Sequence, residues 1–254
     1  MLNIVLELND ILLNEMPQYK SETKSIPKTY DEQRGLLRSL MNVRPPMPLR
    51  KRFILLQDKL LSQETIQKHV IDVTKVIAPS NPNIYLWKGD ITRLKVDAIV
   101  NAANSALLGC FIPHHRCIDN AIHSAAGLQL RQDCHEIMLG QHEKTGGAKI
   151  TPAYNLPSKY IIHTVGPIIS APLTTNDCDL LANCYKSCLD MVVQHNLNSI
   201  AFCCISTGEF KFPNREAAQI AIKVVKNFLK SWEKEVVFCV FKEIDYEIYN
   251  ELLS

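Results

Sequence analysis

From about residue 84 onward, short apolar runs alternate with helix-length segments, and that alternation constrains the fold more than any other feature of the sequence. Runs rich in β-branched and aromatic residues fall at 84–87, 96–100, 149–153, 160–165, 199–205 and 236–241. Helix-length segments at 117–139, 179–194, 214–232 and from 245 come between or after them. Strands and helices alternating at these lengths predict an α/β fold with a mixed, largely parallel sheet and helices on both faces.

Residues 1–80 read differently. Leu2, Val5, Leu6, Ile11 and Leu12, and later Leu36, Leu37, Leu40 and Met41, recur near helical spacing, with an exposed loop expected over 21–30. Arg44-Pro45-Pro46-Met47-Pro48 must interrupt any helix, and a helical face resumes with Phe53, Leu56, Leu60 and Leu61. Arg50, Lys51 and Arg52 read as a solvated surface cluster. With 254 residues, 46% of them apolar, the chain can form one large α/β domain at 81–254 and a mostly helical extension at 1–80.

Charge and cysteine content narrow the function classes. A net charge of +2 argues against nucleic acid as an obligatory partner, because phosphate neutralisation needs a concentrated basic surface. Nine cysteines make an odd number in a chain that is not small, and Cys203, Cys204 and Cys239 sit inside apolar runs, so free thiols in a reducing compartment are expected. The first ten residues lack a basic start and carry Glu7, which does not suit a secretory signal, and no run approaches the ~20 apolar residues of a membrane span. We expect a cytoplasmic monomer without membrane contacts.

Chemistry concentrates between Trp87 and Gly127 and returns at Ser206. Asn101-Ala102-Ala103-Asn104 ends a strand with small residues and two amides, a place where a ligand can approach the backbone. Gly89-Asp90-Ile91 also follows a strand, and Asp90 either caps a turn or presents a carboxylate to a ligand. Ser206-Thr207-Gly208-Glu209-Phe210 follows a buried strand and precedes a helix, which brings backbone N–H groups to a position suited to a diphosphate. Neither a Walker lysine motif nor GxGxxG is present, so triphosphate and Rossmann dinucleotide readings lack their fingerprints.

Cys110, His115 and Cys117 offer two sulfurs and an imidazole within eight residues, a donor set suited to Zn²⁺ with one position left open. Their spacing is not that of a zinc finger, and His114 competes as the imidazole. Cys134 and His135 are helix neighbours pointing about 100° apart, so Cys134, His135 and His142 read as structural. His163 reads as a hydrogen-bonded core histidine, and His123, one turn beyond Asp119, either orients that carboxylate or packs. Asp119 itself reads locally as a helix cap.

GDIT, DAIVNAAN, LLG and IDNAIH, continuing through TGGAKITPAYNLPSKYIIHTVGP and ISTGEFKFP, resemble the macrodomain family, whose members bind ADP-ribose and in several branches hydrolyse it from proteins. Where most members carry glycines after LLG, this chain has Gly109-Cys110-Phe111-Ile112-Pro113-His114-His115-Arg116-Cys117, which resembles the zinc-containing branch. LMNVRPP and QDKLL are similar to that branch's N-terminal extension.

The resemblance implies a three-layer α/β/α architecture and a zinc ion on Cys110, His115 and Cys117, His115 falling on the matching position. It also implies adenine recognition by Asp90 and the Ile91 backbone, a diphosphate cradle at Ser206, Thr207, Gly208 and Glu209, and a distal ribose shielded by Phe210. Asn104 would hold that ribose and Asp119 would serve hydrolysis. Glu209 and Lys211 depart from what many members carry. The implied activity is removal of mono-ADP-ribose from modified proteins, most plausibly at acidic side chains. A non-catalytic ADP-ribose reader and an O-acetyl-ADP-ribose deacetylase are the alternatives. A zinc nucleobase deaminase is excluded by the missing H-x-E and P-C-x-x-C pair.

Overall fold

The computed structural model describes residues 1–73 and 82–254; the boundary expected between residues 80 and 81 lies outside the described residues. Six strands form one sheet: β1 (Ile84–Lys88), β2 (Ala98–Ala102), β3 (Ala148–Pro152), β4 (Tyr160–Thr164), β5 (Ser199–Phe202) and β6 (Glu235–Val240), in the order β1-β6-β5-β2-β4-β3. Every pairing is parallel except that of edge strand β3 with β4. Helices α4 (Ile118–Ala126), α5 (Leu128–Met138), α6 (Thr175–Gln194), α7 (Asn214–Phe228) and α8 (Glu243–Leu253) cover both faces, completing the expected three layers. β2 and β5 are buried along nearly their whole length, as central parallel strands must be.

Local chemistry moves several boundaries from those the apolar pattern predicts. β2 pairs from Ala98 because Asp97 is used otherwise: its N–H donates to Ser199 Oγ at 2.8 Å and its carboxylate accepts from the Asn198 N–H at 2.6 Å and pairs with Lys159 at 2.7 Å. α6 starts at Thr175 because Thr174 and Asp177 form a reciprocal capping box. The single helix expected over 117–139 is two helices. Gly127 adopts φ +104°, and a Cβ there would lie 2.5 Å from Gln57 Nε2.

The extension folds as α1 (Leu2–Glu15), α2 (Tyr30–Val43) and α3 (Lys51–Gln67). Its own core of Leu8, Leu12, Leu37, Leu40, Phe53 and Leu60 is closed by Leu128 from α5. α2 begins at Thr29, whose hydroxyl accepts from the Glu32 N–H, and ends before the Pro45-Pro46 pair. In the surface cluster, Arg52 pairs with Glu7 across to α1. Among the described residues no helix is long and apolar enough to cross a membrane, and all nine cysteines are free.

Parallel β1, β5 and β2 deliver Gly89-Asp90, the 203–213 loop and the segment from Asn101 to the same edge of the sheet. That edge is where an open α/β sheet binds ligands.

Candidate active site and metal-binding loop

Beyond β2 the chain turns on Asn104. Its Oδ1 accepts from the Ala106 N–H at 3.1 Å, and its Nδ2 donates to Gly109 O at 3.0 Å and to Asp119 Oδ2 at 3.3 Å. Asn104, expected as a ribose holder, is seen here shaping the 104–109 turn. Gly109 (φ +79°) completes that turn where a Cβ would lie 2.8 Å from the His123 ring.

Asp119, in the first turn of α4, is 5% exposed and points inward at two amides rather than capping its helix. Cys117 takes the cap position instead, its Sγ accepting from the Asn120 N–H. The other Asp119 oxygen, Oδ1, accepts from Asn101 Nδ2 at 2.8 Å. Burial pushes the Asp119 carboxyl up to about 6, against the pull of the Asn101 bond and of Arg131.

Asn101 Nδ2 also faces His163 Nδ1 at 3.2 Å, while His163 Nε2 meets Thr151 Oγ1 at 3.0 Å. An amide donor requires a lone pair on Nδ1, so the His163 proton sits on Nε2 and is given to Thr151. Burial holds His163 down to about 3, so it is neutral at ordinary pH. His123 Nε2 lies 3.5 Å from Asp119 Oδ1 without hydrogen-bond alignment, and neither of its ring nitrogens has a hydrogen-bond partner among the described residues.

The segment 108–117 forms an irregular loop between that turn and α4. Cys110 Sγ lies 3.5 Å from His115 Nδ1, and the donor atoms of Cys110, His115 and Cys117 all lie within 4.8 Å of one another. A tetrahedral Zn²⁺ with Zn–S near 2.3 Å and Zn–N near 2.0 Å separates a sulfur and a nitrogen by about 3.5 Å, so this donor set fits such an ion. His115 Nε2 lies 3.7 Å from Glu209 Oε1, an arrangement suited to orienting a ligating imidazole. Burial pushes the Cys117 thiol up to about 12, with Cys110 adding to the shift and the Asn120 N–H opposing it. His114 turns away: its φ is +55°, its N–H donates to Asn42 Oδ1 at 3.2 Å, and its ring approaches Gly35 of α2.

Asp90 caps the turn Ile91–Arg93, its Oδ1 accepting from the Thr92 N–H at 3.0 Å and from Thr92 Oγ1 at 2.7 Å. Ile91 is buried. Asp90 also borders a cavity of about 140 Å³ lined as well by Arg34, Arg38, Glu64 and Lys68 of the extension.

Ser206 and Lys211 take positive φ values of 65° and 57°, bending the loop after β5 back on itself so that the Phe212 N–H reaches Ser206 O at 3.0 Å. Thr207 Oγ1 donates to Cys204 O and Phe210 O accepts from the Ile169 N–H at 2.8 Å. The N–H groups of Gly208, Glu209 and Phe210 donate to nothing among the described residues, which makes three successive donors available to an anion. Ser206 Oγ is buried and likewise unpartnered.

The tempting trio of Cys134, His135 and His142 does not converge. Cys134 is buried against His163, His135 is exposed, and His142 Nδ1 meets Ser105 Oγ. Asn101 is legible in the sequence only as one of two amides at a ligand-accessible strand end, and Arg131 escaped functional notice altogether. Asn101 sits on a strand where an amide reads as a strand end. Arg131, 3% exposed, occupies the stripe Leu128, Arg131, Cys134, Met138 of α5, and an arginine on an apolar stripe was the available signal.

This architecture, with its loops gathered at the carboxyl ends of parallel strands, is that of a macro domain, and the chain belongs to that family: the Macro domain model matches residues 100–221. Within the family it is 52% identical over 97% of its length to a protein-ADP-ribose hydrolase of Treponema medium, covering 97% of that protein. It is 47% identical over 96% of its length to the protein-ADP-ribose hydrolase of Staphylococcus aureus strain MSSA476, covering 94% of it. Its fold matches the Trypanosoma brucei macrodomain in complex with ADP-ribose, with a TM-score of 0.65 and 29% identity over 85% of this chain and 95% of that one.

Proposed function

We propose that this protein removes mono-ADP-ribose from acidic side chains of modified proteins, using a zinc ion held by Cys110, His115 and Cys117. That it is an ADP-ribosyl hydrolase rests on near-full-length relatives named for that activity. The single observation that supports the metal-assisted version is that one short segment brings together three convergent Cys/His donors and the buried carboxylate of Asp119.

In this reading adenine lies against Asp90 and Ile91, and the diphosphate sits on the free N–H groups of Gly208, Glu209 and Phe210, with Ser206 and Thr207 flanking. Phe210 screens the distal ribose from water. Asn104, held by Ala106, Gly109 and Asp119, presents a fixed edge to the ribose hydroxyls. Asp119, ionised above about pH 6, orients a water and accepts its proton; the water oxygen bonds the anomeric carbon of the ribose as that carbon's bond to the side-chain carboxylate oxygen breaks, releasing ADP-ribose and a free carboxylate, and Asp119 then gives its proton to solvent. The ion, when bound, supplies Lewis acidity toward a ribose or water oxygen. Free thiols suit a cytoplasmic protein, and the small net charge argues against an obligatory nucleic-acid partner; we take the protein to act as a monomer.

The test follows ADP-ribose release from a protein mono-ADP-ribosylated on Asp/Glu, with zinc-loaded and metal-stripped protein side by side. Release that depends on zinc is expected. Equal release from both removes the metal from the chemistry, and retained ADP-ribose binding without release from either leaves a reader.

A further inference from the structure

The metal-binding loop holds itself together poorly. It is irregular, its internal backbone bond runs from the His115 N–H to Ile112 O, and its apolar side chains Phe111 and Ile112 are 40% and 59% exposed rather than buried as anchors. What fixes it comes from outside, and much of it comes from α2. Asn42, 2% exposed near the end of α2, accepts from the His114 N–H, one residue before the ligating imidazole, and donates to Ser124 Oγ on α4 at 3.1 Å. Ser124 Oγ and Arg38 Nη2, the latter again from α2, both donate to Asn120 Oδ1. Asn120 then donates to Ile112 O at 3.0 Å through Nδ2 and to Cys117 Sγ at 3.4 Å through its N–H.

Arg131 closes the other end. Its Nε donates to Leu108 O at 2.7 Å, its Nη1 to Met41 O at 2.9 Å and Asn42 O at 3.0 Å, and its guanidinium lies 4.4 Å from the Phe111 ring. One buried cation thus satisfies the carbonyls at the end of α2 and the first carbonyl of the loop. His114 sits in the left-handed region at φ +55°, and its N–H bond to Asn42 helps hold it there.

We propose that α2 of the extension is a splint for the metal-binding loop, with Asn42 as the positioning residue that pre-sets His115 and Cys117 for zinc. The inference rests on the zinc reading above. A splinted loop meets the ion already ordered, so the entropy of fixing it is not charged against binding.

The experiment compares wild type, Asn42→Ala, Asn42→Asp and Leu12→Ala as full-length chains. Zinc affinity is read by competition with a chromogenic chelator, and amide exchange over 108–117 and across the extension is read in metal-free protein. Asn42→Ala should weaken zinc by about tenfold or more and speed exchange within 108–117 selectively, since outer partners of metal ligands typically carry about 10–100-fold of affinity. Asn42→Asp keeps an acceptor for the His114 N–H but loses the Nδ2 donor to Ser124 Oγ, and should recover part of both. Leu12→Ala loosens the core that seats α2, so it should speed exchange across the extension as well as the loop, whereas Asn42→Ala should act on the loop alone. Wild-type values in Asn42→Ala, exchange in Asn42→Ala that rises across the whole extension as it does in Leu12→Ala, or no recovery in Asn42→Asp overturns the proposal. A wild-type protein that takes up no zinc sinks the metal reading instead, and the exchange comparison then decides the splint alone.

Discussion

Asn101 Nδ2 donates to Asp119 Oδ1 at 2.8 Å, joining the end of a central strand to the first turn of α4 inside the core. The carboxylate is buried, so this donor offsets part of the cost of its charge. Asn101→Ala should destabilise the fold by about 1–3 kcal/mol, the penalty of leaving a buried acceptor unpaired, and should lower turnover far more than ADP-ribose binding. Denaturant titration and calorimetric ADP-ribose binding separate the two effects; a loss of affinity matching the loss of turnover would place Asn101 in binding alone.

Metal retention and chemistry should separate between neighbouring residues. Cys117→Ala removes a donor and should lose both zinc and release activity. Asp119→Ala should keep about one zinc per chain while turnover falls about 10²–10⁴-fold, the range of a general base. Metal content measured after exhaustive dialysis, beside release assays, checks both. Equal zinc and equal turnover in wild type and Cys117→Ala would end the metal assignment.

Glu209 should tune zinc rather than hold it. Its carboxylate lies 3.7 Å from His115 Nε2 with 70% of the side chain exposed, so water screens the interaction. Glu209→Gln should weaken zinc by less than about tenfold in chelator competition. A loss beyond a hundredfold would make Glu209 a ligand.

Acid should destabilise the protein partly through His163. Its folded-state pKa is depressed to about 3 by burial, whereas the unfolded chain titrates near 6.5. The stability this neutral histidine contributes is therefore fully present above about pH 6.5 and is lost as pH falls toward 3, at up to about 1.4 kcal/mol per pH unit. Urea denaturation between pH 7 and 4.5 should show that slope reduced in His163→Gln. An identical slope would mean that His163 is protonated in the folded protein.

The alternation of short apolar runs and helix-length segments was enough for the sheet, its largely parallel sense and its covering helices, because burying a strand on both faces demands continuous apolar sequence and a crossover of helical length. The convergence of Cys110, His115 and Cys117 was foreshadowed too, since cysteine and histidine within eight residues leave few chemistries. Local sequence also pointed to Asp90, which the structure uses as a turn cap.

Only the tertiary structure decided how the carboxylate and amides of the site are used and what steadies them. Asp119 reads locally as a helix cap, yet Cys117 takes the cap and Asp119 turns to Asn101 and Asn104, a choice set by partners up to 18 residues away. Gly127 splits one expected helix at φ +104°, and Gln57, from the extension, occupies the space a Cβ would need there. Arg131 and Asn42 matter through carbonyls and N–H groups some 70–90 residues distant. Hydrophobic periodicity is a local signal and carries no information about which buried polar groups will meet. Those pairings follow from the requirement that each buried donor and acceptor find a partner wherever packing has brought the chain together.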